Sequence, residues 1–501
     1  MPPPIKSPGV YINEQNAFPN SVIEVATSVV AFIGYTEKAE FNGKSCKGKP
    51  TRVTSLLEYE TFFGRSFPAK FTVKPADAAQ NNTSFTVDGT EMTVVINENN
   101  TAYLYNSVRL FYANGGGVCY IVSVDTYGDK DSFAMSISDF TGSDTKADPF
   151  DALVLEYEPA LIAVPDAIAL GTACYAQLYV KLLKHCADMK SRFAILDLER
   201  QPKITDSETA IRLFQSELVS SSLIYGAAYY PWLNTTVVTN NEVTFENIDA
   251  SLELALLLPA SETEAIETVL AYRQKENPSD LLKRRYHLDM IELSPTYAAI
   301  ITAIREHLNQ LPPSGAMAGI YSLIDGSRGV WKAPANVALQ AVESPSIIIS
   351  AEEQEGMNVD GVGVKSINAI REFTGEGTMV WGARTLDGNS EDWRYINVRR
   401  TAIMVEQSIQ MAAKAFVFEP NTANTWITVK SMIRNFLNSI WKRGGLAGAA
   451  PEDAFVVFVG LGETKTPDDI LEGILRVTVL IALSRPAEFI EMTFQQQMMK
   501  T

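Results

Sequence analysis

Histidine and cysteine, two of the side chains most used for catalysis and metal binding, are scarce in this 501-residue chain. The three histidines fit no metal-binding pattern. The four cysteines are too few and too scattered for a disulfide framework, and no two of them have zinc-ligand spacing. The sequence therefore predicts reduced thiols in a protein made in a cytoplasm, with no metal or cofactor. These residues are His185, His287, His307, Cys46, Cys119, Cys174 and Cys186.

Long apolar runs are also missing. The strongest fall well short of the roughly 20 residues that a membrane-spanning helix needs. The start, Met1-Pro2-Pro3-Pro4, has neither a basic segment nor an apolar stretch, so no signal peptide is predicted. An extracellular destination would then require release by lysis, and a secreted surface or adhesion protein is disfavoured.

Phosphate-binding loops are absent from the sequence. Two short apolar strands end in Asp166 and Asp197, as the magnesium-binding strand of a nucleotide hydrolase does, but no Gly-x-x-x-x-Gly-Lys-Ser/Thr motif accompanies them. The glycines at 115–117 precede a strand and so do not form a dinucleotide fingerprint. We predict a protein that is not an enzyme. The alternative from another class is an α/β hydrolase whose carboxylates are brought together only by folding.

Negative charge predominates, with a formal net charge of −17. Such a chain would repel nucleic acid, so no nucleic-acid partner is predicted. The composition, 46% hydrophobic and 20% charged, is that of an ordinary globular protein, and the length predicts two or three domains. Residues 1–354 carry most of the acid, whereas the remainder is nearly neutral.

The last 120 residues contain the clearest helical pattern. Two amphipathic helices are predicted there, separated by Phe418-Glu419-Pro420-Asn421 and ended by Gly444-Gly445. The apolar stripe of the second predicts a core made of Trp426, Val429, Ile433 and Phe436. A strand from Ala454 to Gly460, a short helix capped by Thr466, and strands Ile474–Leu483 and Glu488–Gln496 complete the region.

Upstream, short apolar strands alternate with helices, which predicts a mostly parallel sheet covered by helices. The strands are expected at 118–124, 161–166, 193–197 and 225–232, and the helices at 102–111 and 173–187. Residues 66–101 predict a β insertion with a turn at Asp88-Gly89. Residues 234–310 predict a polar hairpin and helices near 261–275 and 295–308.

Both ends of the chain have strand-like sequence without a neighbouring segment to pair with. Val10, Tyr11, Ile12 and Asn13 alternate after a proline-rich start, and Ile490, Met492 and Phe494 alternate near the end. A strand with unpaired edges is a template for another chain. A disordered tail is the alternative for the N-terminal segment.

Several blocks of sequence together carry a specific resemblance. They include Gly382-Ala383-Arg384-Thr385-Leu386, Tyr395 to Arg400, Phe418 to Asn421, Trp426, Pro486 to Phe489, Pro312 to Gly315, Arg328 to Asn336 and Pro8 to Ile12. These blocks resemble those of contractile tail-sheath proteins, a family that includes phage tails, R-type bacteriocins and extracellular contractile injection systems. The block Ala31 to Ala39 is most similar to injection systems related to the anti-feeding prophage. Together the blocks span almost the whole chain, with gaps near 66–101 and 234–310.

The resemblance implies an α/β, multidomain sheath subunit whose inner α/β domain combines the N- and C-terminal segments, with α/β and β-rich outer domains inserted and extended terminal arms. The expected layout is an N-terminal exchange arm (1–20), the N-terminal part of the core (21–65), a variable β insertion (66–101), an α/β outer domain (102–233), a variable outer insertion (234–310), a return to the core (311–354), the inner C-terminal domain (355–486) and a C-terminal exchange arm (487–501).

The implied function is mechanical. Subunits would polymerise helically around an inner tube, contact baseplate and tail-terminator proteins, and contract to drive the tube through a target envelope. Assembly in a bacterial cytoplasm and release by lysis are expected, and a phage tail sheath is the alternative within the family. Lys442 and Arg443 either interact with the dipole of their own helix or face an acidic tube. Arg384, Arg399 and Arg400 pair either with a neighbouring subunit or within their own domain.

Overall fold

The computed structural model describes residues 22–76, 84–96, 102–128, 134–200, 207–358, 365–489 and 491–492. The chain forms two compact units. The C-terminal unit comprises Met1–Val25 and Met404–Ser484, and the main unit comprises Ala26–Ile403 and Arg485–Thr501. The fold is mixed α/β, as predicted.

The strands are β1 (Val30–Thr36), β2 (Glu40–Phe41), β3 (Lys44–Ser45), β4 (Thr51–Val53), β5 (Phe71–Pro75), β6 (Ser84–Val87), β7 (Thr90–Ile96), β8 (Cys119–Thr126), β9 (Leu161–Ala163), β10 (Phe193–Asp197), β11 (Gly226–Tyr230), β12 (Leu233–Thr235), β13 (Gln310–Leu311), β14 (Val337–Ala338), β15 (Val342–Pro345), β16 (Ile367–Phe373), β17 (Gly377–Val380), β18 (Phe455–Val459) and β19 (Val477–Ile481).

The helices are α1 (Leu56–Phe63), α2 (Leu104–Ala113), α3 (Ile137–Thr141), α4 (Pro149–Val154), α5 (Val180–Met189), α6 (Ser207–Glu217), α7 (Leu254–Leu257), α8 (Thr263–Arg273), α9 (Asp280–Leu293), α10 (Pro295–Leu308), α11 (Ser314–Arg328), α12 (Ala351–Asn358), α13 (Ile396–Ala413), α14 (Ala423–Lys442), α15 (Pro451–Ala454) and α16 (Pro467–Leu471). A π-helical turn, Cys174–Tyr179, leads into α5.

Nine of the described strands form one sheet in the order β14-β17-β16-β11-β10-β9-β1-β8-β4. Its six central strands, from β16 to β8, run parallel, and the remaining strands pair antiparallel at the two ends. Every residue of β1 is buried, because helices and loops cover both faces of a parallel sheet. Two hydrophobic clusters lie on the two faces.

The strands of this sheet come from distant parts of the chain. They lie within residues 21–65, 102–233, 311–354 and 355–486. The boundary between the two compact units falls inside α13, between Ile403 and Met404. Sequence patterns predicted β8, β9, β10 and β11, but pairing between distant segments decides which strands share a sheet.

The two insertions differ in how well the sequence predicted them. Residues 66–101 contribute the antiparallel sheet β5-β7-β6, and the predicted turn is confirmed because Asp88 and Gly89 both have positive φ, 47° and 79°. The polar hairpin expected in 234–310 is wrong. Its polar residues form two short 3-10 turns with capping boxes, Thr239 to Glu242 and Thr244 to Asn247, before helices α7 to α10.

Two glycines let helix α11 approach helix α2 closely. A Cβ on Gly315 would lie 2.4 Å from the carbonyl oxygen of Ser107, and one on Gly319 would lie 2.6 Å from that of Phe111. Any side chain at either position would therefore force the helices apart. This contact gives a physical reason for the glycines in the block that follows Pro312-Pro313.

The core of the C-terminal unit forms where α14 packs on β18. Val429, Ile433 and Phe436 are buried, in agreement with the predicted stripe. Trp426 is only half-buried. Its indole N–H donates to Oδ1 of Asn421 at 2.7 Å, and the ammonium group of Lys465 lies 4.4 Å from its ring centroid.

The strand predicted at 488–496 is not formed in its described part. Residues 488, 489, 491 and 492 have no strand conformation, and the side chains of Phe489 and Met492 are 78% and 72% exposed. The period-two pattern is present, but within the described chain no neighbouring edge satisfies its backbone groups.

We predict that Gly319→Ala lowers the free energy of unfolding by about 1–3 kcal/mol, because the added methyl group overpacks the α2–α11 contact. Gly326→Ala is the matched control, since it lies on the same helix and a Cβ there meets nothing within 4 Å. Denaturant unfolding of both variants measures the difference. Equal free energies of unfolding for the two variants would show that the close approach is unimportant.

We predict that Phe436→Ala destabilises the protein by about 3–5 kcal/mol, whereas Trp426→Ala costs about 2 kcal/mol because only part of the indole is withdrawn from water. The control, Ile427→Ala, removes a side chain that is 62% exposed and should leave stability unchanged within about 0.5 kcal/mol. Thermal and denaturant melting compare the three. A larger loss for Trp426→Ala than for Phe436→Ala would contradict this ranking.

Candidate functional site

Two buried carboxylates hold helices in place. Asp197 ends β10 as predicted, whereas β9 ends at Ala163 and Asp166 lies in the 3-10 turn that follows it. Oδ1 of Asp166 accepts hydrogen bonds from the backbone N–H groups of Tyr103 and Leu104 at the start of α2, at 2.6 and 2.8 Å. Asp197 accepts one from the backbone N–H of Ser314 at the start of α11, at 2.8 Å. Burial raises the pKa of Asp166 to about 6 and that of Asp197 to about 7. Both carboxylates are therefore occupied as helix anchors.

The histidines are likewise packed against structural neighbours. The ring of His185 contacts the guanidinium of buried Arg192, and His287 Nδ1 lies 2.7 Å from the hydroxyl of Tyr297. Burial lowers the pKa of His307, which packs edge-on against Phe71, to about 3. In the described parts of the chain, no three His, Cys, Asp or Glu side chains cluster as a metal site would require.

A two-stranded sheet in the C-terminal unit offers a place for further strands. β18 and β19 pair antiparallel from Phe455↔Ile481 to Val459↔Val477. Within the described residues neither strand has a second partner, so each leaves one edge without a strand. Phe455, Val457 and Val459 face inward and are buried. Such open edges can accept an added strand.

The outer face of this small sheet is apolar as well. Val456 is 39% exposed, Phe458 36% and Leu480 55%. These side chains alternate with the buried ones along each strand, as the pleat requires. The sheet is therefore incomplete at its edges and on one face.

Six of the seven residues predicted for strand exchange fall near the two ends of the chain and not among the described residues. Val10, Tyr11, Ile12, Asn13, Ile490 and Phe494 lie outside the described residues. Met492 is described, and its side chain is exposed. Their role in strand exchange stays a prediction.

Helix α14 carries no acidic residue in its 20 positions, although the protein as a whole is strongly acidic. Its exposed side includes Arg434 and Lys442, while Lys430 pairs with Glu463. Arg443, directly after the helix, forms an ion pair with Glu24. The unit therefore presents basic side chains along one helix.

Two arginines at the start of α13, Arg399 and Arg400, are buried. The Arg399 guanidinium lies 4.6 Å from the ring centroids of both Tyr225 and Trp393. Arg400 makes a bidentate ion pair with Asp325, and its Nη2 also donates to the carbonyl of Thr27 at 2.9 Å. Aromatic stacking and paired charge let a helix bury guanidinium groups that a hydropathy pattern reads as exposed.

The third arginine, Arg384, is also paired within the chain. Its Nε and Nη2 donate to the two carboxylate oxygens of Glu488, each at 2.8 Å. The described structure thus gives all three arginines partners within the main unit. The sequence had left this alternative open beside pairing with a neighbouring subunit.

No helix in the described parts of the chain is both long enough and apolar enough to span a bilayer.

Residues 389–497 match the phage tail sheath C-terminal domain. A curated tail sheath protein of Vibrio phage KVP40 is 26% identical over 166 residues, which span 32% of this chain and 24% of that protein.

Solved structures match over nearly the full length. The PVC sheath complex of an extracellular contractile injection system, in its contracted state, is 28% identical, with a TM-score of 0.59 and 98% of each chain covered. The contracted helical sheath of the anti-feeding prophage is also 28% identical, with a TM-score of 0.58, covering 98% of this chain and 100% of that one. The chain is therefore similar to tail sheath proteins and shares its fold with the sheath subunits of contractile injection systems.

Proposed function

We propose that this protein is the structural subunit of a contractile sheath, which polymerises helically around an inner tube and contracts to drive the tube through a target envelope. The observation that carries the proposal is the likeness, over 98% of the chain, to two sheath subunits from contracted particles. The role is mechanical, not enzymatic. Energy would be stored when the extended sheath assembles, so contraction would need no nucleotide.

The small sheet β18-β19 is the proposed acceptor of the exchanged arms. One neighbouring subunit would add the strand around Val10 to Asn13, and another would add the strand around Ile490 to Phe494. At a net contribution of roughly 1 kcal/mol per hydrogen bond and ~3–6 bonds per strand, each junction would contribute several kcal/mol. Two such additions would give each subunit a continuous connection to its neighbours through the whole sheath.

The exposed side chains of Val456, Phe458 and Leu480 support the same proposal. They are too close together to be explained as single exposed apolar residues, and the assembled sheath would cover them. Self-association is therefore the first partnership that we propose.

The other proposed partners are an inner tube, baseplate proteins and tail-terminator proteins. The tube would lie against the basic side of α14, with Lys442 and Arg443 among its contacts. A helix without acidic residues, in a protein of charge −17, suits an acidic partner surface, because this helix lacks the negative charges that would repel the partner.

An injection-system sheath is favoured over a phage tail sheath. The full-length likenesses above are to injection-system particles, whereas the similarity to the phage protein is limited to a third of this chain. We propose assembly in a bacterial cytoplasm and release by lysis.

Co-expression with the tube protein, followed by electron microscopy, tests the assembly. We expect striated hollow cylinders from the full chain, whereas deletion of residues 1–16 should leave a folded monomer that forms no stable sheath, because one added strand per subunit is lost. Melting of the deletion variant checks that it is folded. Cylinders of normal length from the deletion variant would remove the N-terminal arm from the mechanism.

A second experiment tests the tube-facing side of α14. The double substitution Arg434→Glu with Lys442→Glu should reduce co-purification of the tube about tenfold at low salt, because attraction becomes repulsion. Lys414→Glu with Arg476→Glu makes the same change in net charge elsewhere in the unit and should leave tube binding unchanged. Equal loss in both double variants would show that net charge, and not this helix, controls the contact.

A further inference from the structure

The C-terminal segment from Arg485 to Met492 belongs to the main unit and not to the C-terminal unit that precedes it in sequence. We call this segment the strap. Among its described residues the strap is loosely held, since Phe489 and Met492 are 78% and 72% exposed. Its ion pair between Arg485 and Asp392 is 3.7 Å long, and both side chains are more than half exposed. Such an exposed pair contributes little to holding the strap.

Glu488 is the exception within the strap. Its carboxylate accepts hydrogen bonds from Nε and Nη2 of Arg384, each at 2.8 Å, and from the hydroxyl of Tyr395 at 3.0 Å. The side chains of Arg384 and Glu488 are only 5% and 20% exposed. A bidentate, largely buried arginine–carboxylate pair with a third donor has both strength and directional specificity.

The backbones of the two donor residues are held by contacts that do not involve Glu488. The backbones of Arg384 and Tyr395 pair in an antiparallel bridge, which places their side chains next to each other. The backbone of Arg384 is held on its other side by the buried amide of Asn368, which accepts from its N–H at 2.7 Å and donates to its carbonyl at 2.8 Å. Gly382 permits this arrangement, because a Cβ there would lie 2.9 Å from Cα of Asn368.

A preorganised pair of donors that meets one carboxylate on a loosely held segment has the geometry of an anchor point. We propose that Arg384 and Tyr395 form a receptor for Glu488 that fixes the root of the C-terminal arm to the body of its own subunit. The anchor rests on the proposed sheath function in one respect: only in a sheath does the arm beyond Glu488 transmit force from a neighbouring subunit.

The role of Glu488 is that of a positioning residue. With the root anchored, a strand donated by the arm would connect the neighbour to the main unit at Arg384. Without the anchor, the same strand would be connected to the main unit only through the full length of the strap, and tension would extend the strap before it reached the main unit. The anchor therefore determines where force enters the subunit.

The first test uses the isolated subunit. Hydrogen exchange of the strap amides is measured in the wild type, in Glu488→Gln and in the control Arg485→Gln, which breaks the exposed ion pair of the same strap. We expect exchange in the strap to rise about tenfold in Glu488→Gln, because loss of the charge weakens the pair with Arg384. Arg485→Gln should leave exchange unchanged. Equal strap exchange in the wild type and in Glu488→Gln would overturn the proposal.

The second test uses sheath assembly. Glu488→Gln leaves the buried Arg384 charge without its carboxylate and could lower overall stability, so the double variant Arg384→Met with Glu488→Gln is compared with it. The double variant removes both charges and should recover the melting temperature, yet its strap should stay loose and its sheaths should fall apart faster on dilution. Sheaths of the double variant as durable as those of wild type would overturn the anchor.

The two proposals fail in different ways. If the wild type and Arg485→Gln form no sheath with the tube protein, the proposed function is wrong, whereas the exchange measurement on isolated subunits still decides whether Glu488 holds the strap. If both form sheaths and Glu488→Gln sheaths are equally durable with an equally protected strap, the anchor alone is wrong.

Discussion

Burial of a parallel sheet on both faces is the constraint on which the main unit depends. The six parallel strands cannot be covered by residues close to them in sequence alone. Parallel neighbours are joined by crossover connections, which place helices or loops on one face of the sheet. Segments as distant as β1 (Val30–Thr36) and β16 (Ile367–Phe373) consequently lie in one sheet. The described strands of residues 66–101 and 234–310 lie outside this sheet and leave the order of its central strands uninterrupted.

Close packing around this sheet explains features that pattern analysis alone leaves unexplained. Helix α11 reaches helix α2 only because Gly315 and Gly319 leave room for backbone contacts. Each of these helices also starts on a buried carboxylate, Asp197 at the end of β10 for α11 and Asp166 in the 3-10 turn after β9 for α2. Motifs that suggest nucleotide chemistry when read singly are here part of the connection between strand and helix.

Arginines in the blocks that carry the family resemblance also connect distant segments of the chain. Arg384, Arg399 and Arg400 are buried, and each guanidinium contacts carboxylates, a carbonyl or aromatic rings of the same chain. These interactions link segments as far apart as Thr27 and α13. The C-terminal unit differs, because among the described residues its two-stranded sheet leaves edges and an apolar face uncovered.

The sequence by itself determined the local elements and carried the resemblance to tail-sheath proteins. Helix α10, strand β10, the Asp88-Gly89 turn and the Thr466 cap were predicted at or near their observed positions, because periodicity, turn residues and caps act over a few residues. Val429, Ile433 and Phe436 were predicted as core for the same reason. Trp426 is more exposed than expected, since its ring lies against Lys465 and Asn421, and a helical wheel does not contain those contacts.

Tertiary structure alone decided which elements share a sheet, where the two units divide and which partners the arginines bind. The boundary at Ile403 and the return of the strap to Arg384 depend on contacts between residues about a hundred or more positions apart. Such contacts leave no periodic signal in the sequence, because an arginine that stacks on aromatic rings or pairs with a distant carboxylate cannot be distinguished there from a solvent-exposed arginine. The sequence therefore determines the helices, strands and turns through short-range stereochemistry. Long-range pairing decides how these elements join, because each polar or charged group that is buried needs a partner from another part of the chain.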